Sequence, residues 1–126
     1  LGLMDKVCCT GYFRRGEFAR KLNESDCFVL ASRHETFGVV YAEAMCCGVP
    51  VIATRCGGTE GFIGAEDGLM VDVDDVAGLA KTMLSICEDV QKYDKAAIAR
   101  RAHERFSPDA VGVRIAKVLE NALIRS

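Results

Sequence analysis

Three short runs, apolar almost throughout, recur along this chain, and stretches with helical spacing separate them. The runs are Cys27-Phe28-Val29-Leu30-Ala31, Pro50-Val51-Ile52-Ala53-Thr54 and Leu69-Met70-Val71. The first is apolar at every position, as a strand covered on both faces should be. Strands alternating with helices predict an α/β fold with a parallel sheet. A fourth strand is expected earlier, over residues 6–10, ending at Gly11.

The intervening helices have readable ends. Residues 16–24 predict a helix with Phe18, Ala19 and Leu22 inward. Residues 37–47 predict the next; Gly48 ends it and Pro50 cannot continue it. Residues 56–64 hold four of the 12 glycines and read as a loop. Asp74 or Asp75 caps a helix with Val76, Leu79, Ala80, Met83 and Cys87 on one stripe. Residues 92–105 form a polar, Ala-rich helix. Ser107 with Pro108 starts the last one. That helix is expected to bury Val111, Ile115, Val118, Leu119 and Ala122.

Composition removes several classes. The 126 residues suffice for one compact domain and not two. Sixteen basic and 18 acidic residues leave a net charge of −2, so nothing points to nucleic acid. No apolar run reaches the roughly 18 residues of a membrane span, and no signal-peptide pattern is visible. The seven cysteines are odd in number, include two adjacent pairs and form no Cys-x-x-Cys. They read as small buried hydrophobes in a reducing compartment. The expected location is the cytoplasm, with the membrane periphery left open for a longer parent.

Ligands of such sheets bind beyond the carboxyl ends of the strands. Gly11, residues 32–38 and residues 55–61 all lie at those ends. Glu35 falls on the turn after the first apolar run, and Glu43 follows eight positions later inside the next helix. Helix N-terminal N–H groups favour a phosphate, and carboxylates accept paired hydrogen bonds from neighbouring hydroxyls. Together they suggest a nucleotide sugar. Spacing alone is weak, since 18 acidic residues produce it by chance more than once. The bland alternative makes Glu35 an exposed charge answering the helix dipole and Glu43 a solvated carboxylate. Gly38 fits a place where backbone N–H groups approach phosphate or sugar oxygens. Gly57 and Gly58 form a turn or leave room for a sugar ring.

Other motifs fail. His34-Glu35 would start a zinc-protease helix only with His at position 38, where Gly38 stands. There is no phosphate-binding Gly-Lys-Ser/Thr, no Gly-x-Ser-x-Gly elbow, and no cysteine beside a base. A signalling receiver domain needs acidic residues where Ser32 and Thr54 end the central strands.

The stretch Cys27-Phe28-Val29-Leu30-Ala31-Ser32-Arg33-His34-Glu35-Thr36-Phe37-Gly38, continuing through Glu43-Ala44-Met45-Cys46-Cys47-Gly48-Val49-Pro50-Val51-Ile52-Ala53-Thr54 to Gly57-Gly58, closely resembles retaining glycosyltransferases of family 4. The ends match more weakly, through Leu1-Gly2-Leu3-Met4-Asp5-Lys6-Val7, Thr10-Gly11-Tyr12 and Arg105-Phe106-Ser107. The resemblance implies part of the C-terminal, Rossmann-like domain of a GT-B fold, with about four strands. It implies transfer of a sugar from a nucleotide-diphosphate sugar to an acceptor hydroxyl, with retention and without a metal or other cofactor. It makes Glu35 the carboxylate that holds the sugar hydroxyls, and the candidate catalytic residue. Thr36, Phe37, Gly38 and Val39 become the segment at the sugar and diphosphate, and Glu43 the ribose acceptor. Gly11, Tyr12 and Phe13 lie near the base, and Gly57 and Gly58 complete the donor site. One departure is Gly57-Gly58-Thr59-Glu60, where the family often has x-Pro-Glu after the glycines.

The resemblance also implies that residues 1–126 are a partial domain, lacking its first strands and the acceptor domain. Family cations that neutralise the diphosphate belong to earlier segments; Arg33 and Arg55 are not at those positions. The chain would supply donor binding only, with the acceptor saccharide or lipid held by the absent domain. The competing reading is a non-catalytic nucleotide-binding or interaction module. Without the first strands, residues 6–10 are expected to pair directly with the strand at 27–31, and self-association through the sheet edge or last helix is a further expectation.

Overall fold

A computed structural model describes residues 2–124. The elements run α1 (Arg15–Asn23), β1 (Phe28–Leu30), α2 (Val39–Cys46), β2 (Val51–Thr54), β3 (Gly68–Val71), α3 (Val76–Glu88), a 3-10 turn (Val90–Lys92), α4 (Lys95–Phe106) and α5 (Pro108–Ile124). The three strands form one parallel sheet in the order β1-β2-β3. Val51 pairs with both Phe28 and Gly68, so β2 is central. All four of its residues are buried, whereas β1 is only half-buried at the edge.

The core lies between the sheet and α2, which packs on α4. Tyr41, Ala44, Val51 and Ile98 are fully enclosed there. Such side chains each contribute roughly 1.5–3 kcal/mol of burial, apart from the smaller alanine. α2 needs this support, because eight residues form no stable helix alone. Gly48, at φ 74°, turns the chain out of α2 and into β2.

Four expectations need correction. The sheet has three strands among the described residues, not about four. Residues 6–10 form no strand; Val7 is 63% exposed, and an unpaired segment leaves its backbone to water. The buried stripe of α3 runs through Leu79 and Ile86, while Val76, Ala80, Met83 and Cys87 face solvent. The α5 stripe is not buried: Ile115, Val118, Leu119 and Ala122 are exposed and Val111 is half-buried, since the main packing partner of this helix is α4. Finally, the cysteines are less covered than the buried hydrophobes expected: Cys27, Cys46, Cys47 and Cys56 are half-buried, and Cys8, Cys9 and Cys87 are exposed.

The caps came closer. Asp75, not Asp74, caps α3 by accepting from the Gly78 N–H at 2.8 Å. Asp94 caps α4, and Ser107 accepts from the Ala110 N–H at 3.2 Å to start α5.

Candidate functional site

The turn between β1 and α2 is fastened at both ends and in its middle. Tyr41 Oη donates to the Leu30 carbonyl at 2.5 Å, and Thr54 Oγ1 donates to the Ser32 carbonyl. Ser32 Oγ in turn donates to Glu35 Oε1 at 2.8 Å. Tyr41 is fully enclosed, and burial pushes its phenol up to about 12, so it remains a donor at neutral pH. The Glu35 carboxylate is thus oriented by a hydroxyl and accepts from it.

Gly38 ends the turn at φ 78° as the N-cap of α2. A Cβ there would lie 2.6 Å from Tyr41 Cδ2, so both backbone shape and space exclude other residues. No side chain caps α2. The Gly38 carbonyl accepts from the Tyr41 N–H at 3.0 Å, while the N–H groups of Val39 and Val40 have no side-chain cap, the arrangement that suits an anion.

The loop at residues 57–60 backs this turn. A Cβ on Gly58 would approach the Glu35 carbonyl oxygen to 2.5 Å and the Phe37 nitrogen to 2.9 Å. Gly58 therefore serves backbone-to-backbone packing, a role that neither of the two sequence readings named. Thr59 is buried and donates to the Thr54 carbonyl at 2.9 Å. Glu60 closes the loop on itself: the Gly57 N–H donates to its oxygens at 3.0 and 3.2 Å. Backbone N–H bonds, its own foremost, hold the Glu60 carboxyl below the usual range. This internal closure stands where the related pattern places Pro-Glu.

Phe37 has a role that spacing did not reveal. Its ring stacks on Phe62 at 4.9 Å and meets Phe106 edge-on at 5.7 Å, while Phe62 and Phe106 are 5.4 Å apart. The side chain is committed to this triad, which leaves the backbone of the turn for a ligand. The triad joins three separate elements, and the only sequence signal for it is that each ring falls beside a predicted helix end or loop.

Glu43 lies on the next turn of α2. It lines a hollow of about 500 Å³ together with Gly11, Tyr12, Phe13 and Arg15. Arg15 Nη2 stands 3.7 Å from Glu43 Oε1, an exposed pair worth little to stability. A second hollow joins Glu43 to Val39 and Ala42, and a third, of about 570 Å³, joins Val39 to Phe37 and Gly58. Shared lining residues make one surface from Gly58 through Val39 and Glu43 to Gly11. Glu35 lines none of these three hollows and reaches them through its backbone against Gly58. Thr36 is exposed beside it. Gly57, at φ 106°, has open space around its Cα.

Arg33 and Arg55 are engaged elsewhere on the rim, with Asp74 at 2.9 Å and Asp72 at 3.5 Å. Among the described residues, no group of three His, Cys, Asp or Glu is placed to hold a metal, and no helix is long and apolar enough to cross a membrane.

Known proteins share this fold and sequence pattern. The family model described as "Glycosyl transferases group 1" matches residues 1–89. The chain is 37% identical over 91 residues to a lipopolysaccharide core biosynthesis glycosyltransferase of Rhizobium meliloti, covering 68% of this chain and 26% of that protein. It is 30% identical over 126 residues to a D-inositol 3-phosphate glycosyltransferase of Xylanimonas cellulosilytica, covering 98% and 30%. Among solved structures, sucrose-phosphate synthase from Thermosynechococcus elongatus superposes with a TM-score of 0.84 at 28% identity, covering 98% of this chain and 32% of that one. Anabaena HepE, solved with UDP and glucose, superposes at 0.79 with 28% identity, covering 95% and 33%. The chain thus spans between about a quarter and a third of the length of these relatives. The parallel sheet and flanking helices are those of a GT-B glycosyltransferase, and the chain belongs to the group 1 glycosyltransferases.

Proposed function

We propose that this chain is the donor-binding segment of a retaining glycosyltransferase that uses a nucleotide-diphosphate sugar. The observation that carries the reading is the uncapped N-terminus of α2 at Gly38, with Glu35 fixed by Ser32 on one side and Glu43 in a hollow on the other. In this reading the N–H groups at Val39 and Val40 meet the diphosphate. Glu43 accepts the ribose diol, and the backbone at residues 11–13 flanks the base. Glu35 accepts hydroxyls of the sugar, with Ser32 keeping its second oxygen directed outward. Two of the neighbouring HepE structures hold UDP with glucose and UDP-glucose, so uridine diphosphate sugars are the first donors to test.

Transfer needs a second lobe to enclose the reacting atoms and exclude water. The 126-residue chain alone therefore binds donor and transfers nothing. A longer parent joins the sugar to an acceptor hydroxyl with its anomeric configuration kept. The alternative, a binding module with no transfer, is favoured by one feature: Arg33 and Arg55 turn to Asp74 and Asp72 rather than to the α2 turn.

A thermal-shift panel of nucleotide sugars tests the reading. A donor at a hundredfold excess over its dissociation constant stabilises the fold by about 2.7 kcal/mol. The shift should appear with one base class and vanish in Glu43→Ala. Equal shifts in both proteins would remove the proposed site. The anomeric proton coupling of the product made by the longer parent decides between retention and inversion.

A further inference from the structure

We infer that Arg105 is a positioning residue for the donor turn, acting through the loop that backs it; the inference rests on the donor-binding reading above. Arg105 lies near the end of α4. Its Nη1 donates to the Phe62 carbonyl at 2.9 Å and its Nη2 to the Gly61 carbonyl at 3.1 Å. One planar fork thus holds two successive carbonyls, a geometry that an ammonium cannot reproduce. The same guanidinium carbon lies 5.4 Å from the centre of the Phe106 ring.

The loop held in this way touches the turn at two independent places. Phe62 stacks on Phe37 at 4.9 Å. Gly58 packs so closely that an added Cβ would be 2.5 Å from the Glu35 carbonyl oxygen. Glu35 and Phe37 flank Thr36, and Phe37 leads directly into Gly38 and the N-terminus of α2. A shift at Gly61 and Phe62 therefore moves the backbone that meets the ligand.

Arg101, one helical turn earlier, does a different job. It donates to Asp67 Oδ1 at 2.6 and 2.8 Å, and Asp67 is 5% exposed. Loss of that buried pair would be felt throughout the fold. Arg105 is exposed, and its carbonyl bonds contribute little net stability. Its removal frees the loop while leaving the core intact.

The test compares Arg105→Lys with the unchanged 126-residue chain. Amide hydrogen exchange is followed at Phe62, bonded to Thr59, at Tyr41, bonded to Gly38, and at Val51, bonded to Asp67 in the core. UDP-glucose affinity is measured in parallel. Exchange at Phe62 and Tyr41 should quicken about tenfold, with Val51 unchanged and UDP-glucose bound several-fold more weakly. Unchanged exchange at Phe62 and Tyr41, or an equal increase at Val51, overturns the inference. So does unaltered UDP-glucose affinity in a variant whose parent chain binds it. Where the unchanged chain binds no UDP-glucose, the choice of that donor fails instead, and the exchange rates alone decide the role of Arg105.

Discussion

Gly58 and Glu35 meet backbone to backbone: a Cβ on the glycine would fall 2.5 Å from the glutamate's carbonyl oxygen. This approach couples the second strand's loop to the first strand's turn, so that Gly58 supports the turn that enters α2. Gly58→Ala should destabilise the fold by about 1–3 kcal/mol, because neither backbone can yield easily. Thermal unfolding checks this. Gly57→Ala meets no neighbour but sits at φ 106°, so its strain comes from the backbone alone. An unaltered midpoint in Gly58→Ala would mean that the loop stands further from the turn.

Ser32 orients Glu35 through one hydrogen bond of 2.8 Å at a partly exposed site. Ser32→Ala should leave the unfolding midpoint nearly unchanged while weakening nucleotide-sugar binding by about 1 kcal/mol, roughly fivefold. Binding of the nucleoside diphosphate alone should not change, because in the proposed site Glu35 serves only the sugar. Titration calorimetry with both ligands separates these effects. A loss shared equally by both ligands would place Glu35 elsewhere.

Alkaline pH should unfold this protein through groups that the core keeps neutral. Burial pushes the Cys27 thiol from 9.0 up to about 11 and the Tyr41 phenol from 10.0 up to about 12. Both are acids with a folded pKa above the unfolded one, so the folded state retains protons that the unfolded chain releases. Their contribution is complete below pH 9.0, declines first through Cys27 up to about 11, then through Tyr41 up to about 12. Denaturant midpoints should fall across that window, and Cys27→Ala should flatten the earlier part. A midpoint that stays level across it would contradict the burial of both groups.

The sheet was legible because residues 28–30 and 51–53, the body of the first two strands, are apolar throughout. The helix ends were legible through Gly48, Ser107 and the aspartates at 74 and 75, since capping is local chemistry. Residues 6–10 misled because an apolar pair such as Val7-Cys8 marks a strand only where a sheet edge receives it. Ile86 was passed over in favour of Cys87, a one-position error that rotates a helix stripe by about 100°. The apolar spacing of α5 was read correctly, but spacing reveals which residues share a face and not what covers it. At the site, the roles proposed for Glu35 and Glu43 rest on the resemblance of an ordered motif. The aromatic triad of Phe37, Phe62 and Phe106 and the fork of Arg105 join elements more than 20 positions apart, and no pattern within one element announces them.

In the proposed reading, the turn entering α2 cradles a sugar nucleotide between Glu35 and Glu43. Isothermal titration of UDP and of UDP-glucose into the unchanged chain, Glu35→Ala and Glu43→Ala tests it most directly. Glu43→Ala should weaken both ligands together, whereas Glu35→Ala should remove only the extra affinity that the glucose confers. Equal affinities for both ligands in all three proteins would contradict it.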